Sequence, residues 1–163
     1  MDYSGGHPRT PEAVVELEIP ARPEFVGIAR MAVGALAGIR PGLAYERIDD
    51  LRIVVSEACT SAIEVIAHQP VAAGDAPAAV RLRCIDGPKT LEIRIEAPGP
   101  AFEGAFPTDE PNPEPDVDNF RISLIRALVD DAELRPGAGR TELCLVMHRE
   151  AASDDDGGSD LPA

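Results

Sequence analysis

A carboxylate and a hydroxyl, Glu57 and Ser61, stand four residues apart in the run Asp50-Leu-Arg-Ile-Val-Val-Ser-Glu-Ala-Cys-Thr-Ser-Ala62. If the run is helical, both side chains share one face. Two readings are open for such a pair: an altered base-and-metal pair, or a polar helix face with no chemistry. The other reactive residue types offer less. His7, His68 and His148 are scattered, with no carboxylate or cysteine at metal-ligand or triad spacing. Ser56 and Ser61 lack the context of a nucleophile elbow. The three cysteines, Cys59, Cys84 and Cys144, lie far apart in apolar surroundings, so buried reduced thiols are expected in place of a metal site or a disulfide framework. Thr141, in Gly139-Arg-Thr-Glu142, reads in isolation as an ordinary strand threonine, and Arg126 and Asp130 have the spacing of a local ion pair.

The elements that must position these residues follow from periodicity. From Val15 to Ile19 apolar and polar residues alternate, which predicts a strand over Ala13–Ile19. From Glu24 to Ile39, Phe25, Ile28, Ala32, Leu36 and Ile39 recur every three or four positions, which predicts a helix with that stripe inward. Pro41-Gly42 breaks it. A second helix is predicted over Tyr45–Ala67, with Ile48, Leu51, Val55, Ala58, Ala62 and Val65 as its core stripe. Alternation over Ala79–Ile85 and Leu91–Glu96, joined by Asp86-Gly-Pro-Lys, predicts a β-hairpin. The acidic, proline-rich stretch 98–118 is too long for a routine connection and is expected to be a lid or binding loop. Asp118 is placed to cap a short helix, Asn119–Val129, with Phe120, Leu124 and Leu128 inward. Ala132–Arg135 and Thr141–Met147 complete a last hairpin across Pro136-Gly-Ala-Gly. The order predicts an α/β (α+β) two-layer sandwich, helices on one face of a mainly antiparallel sheet.

Composition excludes some functions. Of 163 residues 44% are hydrophobic, which suits one domain with a real core. The net charge of −14 opposes direct contact with nucleic acid, which needs a basic footprint. No apolar run approaches the ~18 residues of a membrane span, and the N-terminus has no signal-peptide core. A cytoplasmic protein is therefore expected. Residues 1–12 and the acidic tail 150–163 are expected to be disordered, leaving 13–149 as the domain. Alanine and proline richness suits a high-GC bacterial genome, such as that of an actinobacterium.

Three stretches carry a resemblance. Ile19–Arg30 looks like the opening strand and first helix of the bacterial anti-sigma factor serine/threonine kinases, a branch of the GHKL superfamily. Leu51–Thr60 looks like their second helix, and Leu124–Asp131 followed by Gly139–Glu142 like their final helix and strand. The resemblance covers 14–149 and implies the Bergerat-type fold with ATP and magnesium as cofactors. It implies Glu57 as general base, Ser61 at the magnesium-ligand position, and Gly99 and Thr141 near the nucleotide. It also implies that Arg30 is presented to a sigma factor.

Each nucleotide box departs from the family pattern. Ser61 replaces the magnesium-binding asparagine, and its shorter hydroxyl suits octahedral magnesium less well. Where the family has Asp-x-Gly-x-Gly, the chain has Ala97-Pro-Gly-Pro-Ala101. Ala97 cannot accept from an adenine amine, a loss of ~1–3 kcal/mol, or about one to two powers of ten in affinity. The neighbouring Glu96 should point to the opposite face. Before the last helix the phosphate-binding glycines give way to Asp118-Asn-Phe-Arg-Ile-Ser123, and the preceding loop is acidic, with no Lys or Arg between Arg94 and Arg121. The expectation is weak ATP and magnesium binding at most, on a serine/threonine kinase-like domain that works more by binding than by catalysis. It would sequester an alternative sigma factor, yield it to an anti-anti-sigma (STAS-type) protein, and form a homodimer as family members do. Two alternatives stay open: an active kinase phosphorylating the antagonist, and a ligand-sensing domain with an altered pocket.

Overall fold

The structure is a computed structural model that describes residues 12–70, 74, 76–100, 102 and 117–151. The expected disordered ends and the lid lie largely outside these residues.

Five strands form one sheet: β1 (Ala13–Pro20), β2 (Ala79–Asp86), β3 (Thr90–Pro98), β4 (Asp131–Gly137) and β5 (Arg140–His148). Their order is β1-β2-β3-β5-β4, and every neighbouring pair is antiparallel. β1 and β4 are the edges. Three helices, α1 (Val26–Ala37), α2 (Tyr45–Ala67) and α3 (Val117–Leu128), complete the fold. The expected two-layer sandwich and both hairpins are present.

Period-two patterning explains the two faces of the sheet. Val80, Leu82, Leu91, Ile93, Ile95, Leu143, Leu145 and Met147 point to the helical layer, each at most 1% exposed. Burying a side chain of this size contributes about 1.5–3 kcal/mol. The alternate positions carry charge. Arg81 pairs with Glu18 and Glu96, Arg140 with Glu96, and Arg135 with Glu133 and Glu142. Glu96 thus faces away from Ala97, as alternation requires.

α2 runs along the inner face. Leu51, Val54, Val55, Ala58, Cys59, Ala62, Ile63 and Ile66 are its buried side, so its predicted limits hold; the predicted stripe gains Val54, Cys59, Ile63 and Ile66, while Ile48 and Val65, expected in it, are only half-buried. The other helices are turned from expectation. A 3₁₀ turn, Pro23–Phe25, opens α1, and Val26, Ala29, Val33, Leu36 and Ala37 face inward. Ile28 and Ile39, placed in the core by periodicity, are 50% and 71% exposed. α1 is apolar on nearly every side, so period alone could not choose its face; the packed face lies about one residue, or ~100°, from the predicted one. In α3 the inward residues are Ile122 and Ile125, with Val129 just beyond its end, and Phe120 is 69% exposed. α3 starts at Val117, so Asp118 lies inside the helix and does not precede it as a cap.

All three cysteines are free and buried. Burial pushes the Cys59 thiol up to about 12 and the Cys84 thiol to about 11, which fits unreactive thiols.

One charged cluster ties the ends of the layers together. Asp86, expected in the hairpin turn, is the last residue of β2 and its side chain is 1% exposed. It accepts from Arg149 Nη2 at 2.5 Å and from Arg40 Nε at 2.9 Å. Arg149 Nη1 donates to the carbonyls of Ala37, Arg40 and Pro41 at the end of α1, as a cation at a helix C-terminus should. Gly42 follows with φ +98°; a Cβ there would stand 2.6 Å from the Glu150 carbonyl oxygen.

Candidate functional site

The solvent side of α2 carries Glu57, Ser61 and Glu64 at successive helical repeats, opposite the buried stripe. Glu57 and Ser61 therefore do share a face. What the sequence did not single out is that Arg121, from the first half of α3, lies across it. Its Nη2 donates to Glu64 Oε1 at 3.1 Å and its Nη1 bonds the other Glu64 oxygen, a two-point fork. Its Nε stands 3.7 Å from Glu57 Oε2. The Arg121 side chain is 19% exposed, against 35% for Glu57 and 50% for Glu64. The Arg121 hydrogen bond holds the Glu64 carboxyl below the usual carboxylate range. A sequence signal existed in retrospect: two acids seven residues apart on one helix, and an arginine in place of the expected glycines.

The second cluster lies beyond the C-terminal end of α2. Thr141 is 1% exposed, and its hydroxyl donates to the Gly99 carbonyl at 2.7 Å. The Gly99 amide donates to the Gly139 carbonyl at 2.9 Å. Gly99 has φ +71°, a conformation glycine adopts readily. Gln69 covers it: a Cβ on Gly99 would lie 2.2 Å from Gln69 Nε2, and that amide reaches the Pro98 carbonyl at 3.4 Å. The fold thus brings Gly99 and Thr141 together, with Gln69, which sequence reasoning missed. Ser61 lies eight residues before Gln69 along the chain, about 12 Å at helical rise.

As they stand, these residues do not fit a magnesium–nucleotide complex. The Ala97 methyl offers no acceptor and is 1% exposed. The space over Gly99 holds a glutamine amide, the Thr141 hydroxyl is spent on backbone, and Glu57 faces a guanidinium. Among the described residues no group of three or more His, Cys, Asp or Glu side chains is placed to hold a metal. The arrangement holds two helices and a strand end together.

Arg30 stands apart from both clusters, exposed on α1. Elsewhere on the exposed surface of α1, Ile28 is 50% exposed and Met31 72%. Asp130 meets Arg47 of α2 at 2.8 Å and accepts from the His148 amide. A cleft of about 890 Å³ opens beside Gln69, its wall largely alanine and proline, and its charged residues Glu18, Arg81, Glu96 and Arg140 are paired with one another in salt bridges. No helix among the described residues is long and apolar enough to cross a membrane.

The sandwich defines a class, and the family comparison agrees: the histidine kinase-like ATPase domain matches residues 19–147, so the chain belongs to that family. Within it the chain is similar to the serine-protein kinase RsbW of Bacillus pumilus, 31% identical over 151 residues, which is 87% of this chain and 91% of that protein. The RsbW of Oceanobacillus iheyensis is 30% identical over 87% of this chain and 92% of its own length. A stretch of 50 residues is 48% identical to the RsbW of Bacillus subtilis, 31% of either chain. Among solved structures, the RsbU and RsbW domains of a Mycobacterium tuberculosis protein superpose with a TM-score of 0.57 at 17% identity, over 85% of this chain and 34% of that one. That likeness shows the fold.

Proposed function

We propose that this protein is an anti-sigma factor of the kinase-like ATPase family, sequestering an alternative RNA polymerase sigma factor and releasing it to an anti-anti-sigma (STAS-type) antagonist, with little or no phosphotransfer. The observation that carries the reading is the outer face of α1. A helix packed on one side yet apolar on the other, with Ile28 and Met31 50% and 72% exposed and Ile39 71% exposed just past its end, asks for a partner. Arg30 beside them supplies a charged anchor of the kind enriched at binding hot spots. The net charge of −14 suits basic sigma-factor regions and favours fast, salt-dependent association. A cytoplasmic homodimer is part of the same reading, through the resemblance.

The test is capture of purified sigma factors on immobilised protein, followed by affinity measurement with Met31→Glu and Arg30→Glu. Each substitution should weaken binding by about 2 kcal/mol, roughly 30-fold. Unchanged affinity in both would remove α1 from the interface and this reading with it.

A second reading, an active kinase, is supported by two observations: Glu57 is present on α2, and the relatives are named as kinases. Glu57→Ala decides it, because antagonist phosphorylation that survives the change excludes Glu57 as base.

A further inference from the structure

The residue that closes the candidate site comes from the chain itself. Arg121 occupies the run 118–123, where glycines would admit phosphates, and its guanidinium reaches back over the turn of α2 that carries Ser61. Glu57 and Glu64 are seven residues apart, two helical turns or about 10 Å along the axis. A single guanidinium spans them, forking onto Glu64 and standing 3.7 Å from Glu57 Oε2. It is the least exposed of the three side chains, at 19%. A guanidinium suits this role better than an ammonium, because its planar fork matches a carboxylate and it stays charged at every physiological pH.

We propose that Arg121 is an autoinhibitory counter-ion: it takes the place of the dication between α2 and α3, occupies Glu57, and makes the folded state independent of nucleotide. The inference rests on the family reading of Glu57 as the base position and goes beyond the binding role of α1. Three features converge on it. The cation lies against Glu57, one turn before Ser61, so a dication reaching that carboxylate must displace the guanidinium. The side chain fills the approach that glycine would leave open. Its second acid, Glu64, lies one turn beyond Ser61 and has no part in the boxes, so the fork onto it holds the guanidinium in place.

The same contact makes α3 a reporter of site occupancy. Whatever moves the first half of α3 away from α2 frees Glu57 and Glu64 together, and whatever ties them together restrains α3.

The experiment is calorimetric titration of the full chain with ATP at millimolar magnesium, comparing wild type, Arg121→Gln, Arg121→Lys and Glu64→Gln. Removing the charge in Arg121→Gln should tighten binding at least tenfold over wild type. Arg121→Lys keeps the charge but loses the fork, and should tighten binding by a smaller factor than Arg121→Gln. Glu64 is half exposed, so Glu64→Gln leaves the fold intact, loosens the fork and should shift affinity in the same direction by a smaller factor. Glu64→Gln decides the matter if Arg121→Gln fails to fold. The proposal is overturned if wild type binds magnesium–ATP as tightly as the variants. It is equally overturned if Arg121→Gln binds more weakly, since Arg121 would then be a phosphate ligand. Sigma-factor capture is read on the same proteins: a wild type that captures sigma while no variant gains nucleotide affinity sinks this inference alone. A variant that gains nucleotide affinity while the wild type captures no sigma sinks only the binding role.

Discussion

Replacing Asp86 by alanine should be the most damaging single change on the charged side of this fold. The Asp86 and Arg149 side chains are each 1% exposed, so water cannot compensate either when its partner is lost. Asp86 accepts from Arg149 at 2.5 Å and from Arg40 at 2.9 Å. Its removal strands a buried guanidinium whose remaining acceptors are three backbone carbonyls, and whose Nε meets no acceptor among the described residues. Breaking a buried pair by deleting one member costs about 3–5 kcal/mol. Against a total stability of about 5–15 kcal/mol, that is a third or more of the margin for most domains. At roughly 2–4 °C per kcal/mol for a chain of this size, Tm should fall by about 6–20 °C. The assay is urea unfolding followed by circular dichroism, with the slope checked for constancy so that the midpoint reports stability alone. Replacing both members, Asp86→Leu with Arg149→Met, should recover much of the loss, because an apolar pair of similar volume strands no charge. A cost below about 1 kcal/mol for Asp86→Ala, at unchanged slope, would refute the reasoning: the pair would then be solvated in solution.

Two further outcomes are expected. Gly99→Ala should destabilise by about 1–3 kcal/mol, since φ is +71° and the new methyl would overlap Gln69; an unaltered Tm would mean that Gln69 swings away freely. The Glu64 carboxyl is lowered in the folded state by Arg121, so its contribution is present above the unfolded carboxylate value and is lost as pH falls through the folded one. The stability difference between wild type and Glu64→Gln, under about 1 kcal/mol for so exposed a group, should therefore shrink between pH 6 and pH 3; a difference that grows on acidification would contradict the fork.

The parts of the fold legible in the sequence are those where one signal dominates. α2 was placed over Tyr45–Ala67 because its pattern runs long and Pro41-Gly42 isolates it. The hairpins were legible because alternating strands flank obvious turn residues. α1 was found but turned, because a helix apolar all round carries no phase information. Phe120 falls on the predicted inward stripe with Leu124 and Leu128, yet Ile122 and Ile125 fill the space under α3. Glu57 and Ser61 were legible as a pair through helical spacing. Arg121, Gln69 and Arg149 were not: each acts on a residue distant in sequence, 29 or more positions away, and no local pattern encodes such a contact.

The sheet is open, and its two outer strands leave backbone donors and acceptors free to pair with another chain. On β1 the exposed residues include Glu16 and Glu18, with Pro20 at the end; on β4 they are Asp131, Glu133, Arg135 and Pro136. Proline offers no amide for a sixth strand, and mixed charges resist a flat neighbour. Protection of this sort is mostly electrostatic, and it weakens as ionic strength rises while the apolar core is unaffected. Concentrated salt, which chemists use to precipitate proteins intact, is thus the condition under which this one would first pair edge to edge, with its fold still in place.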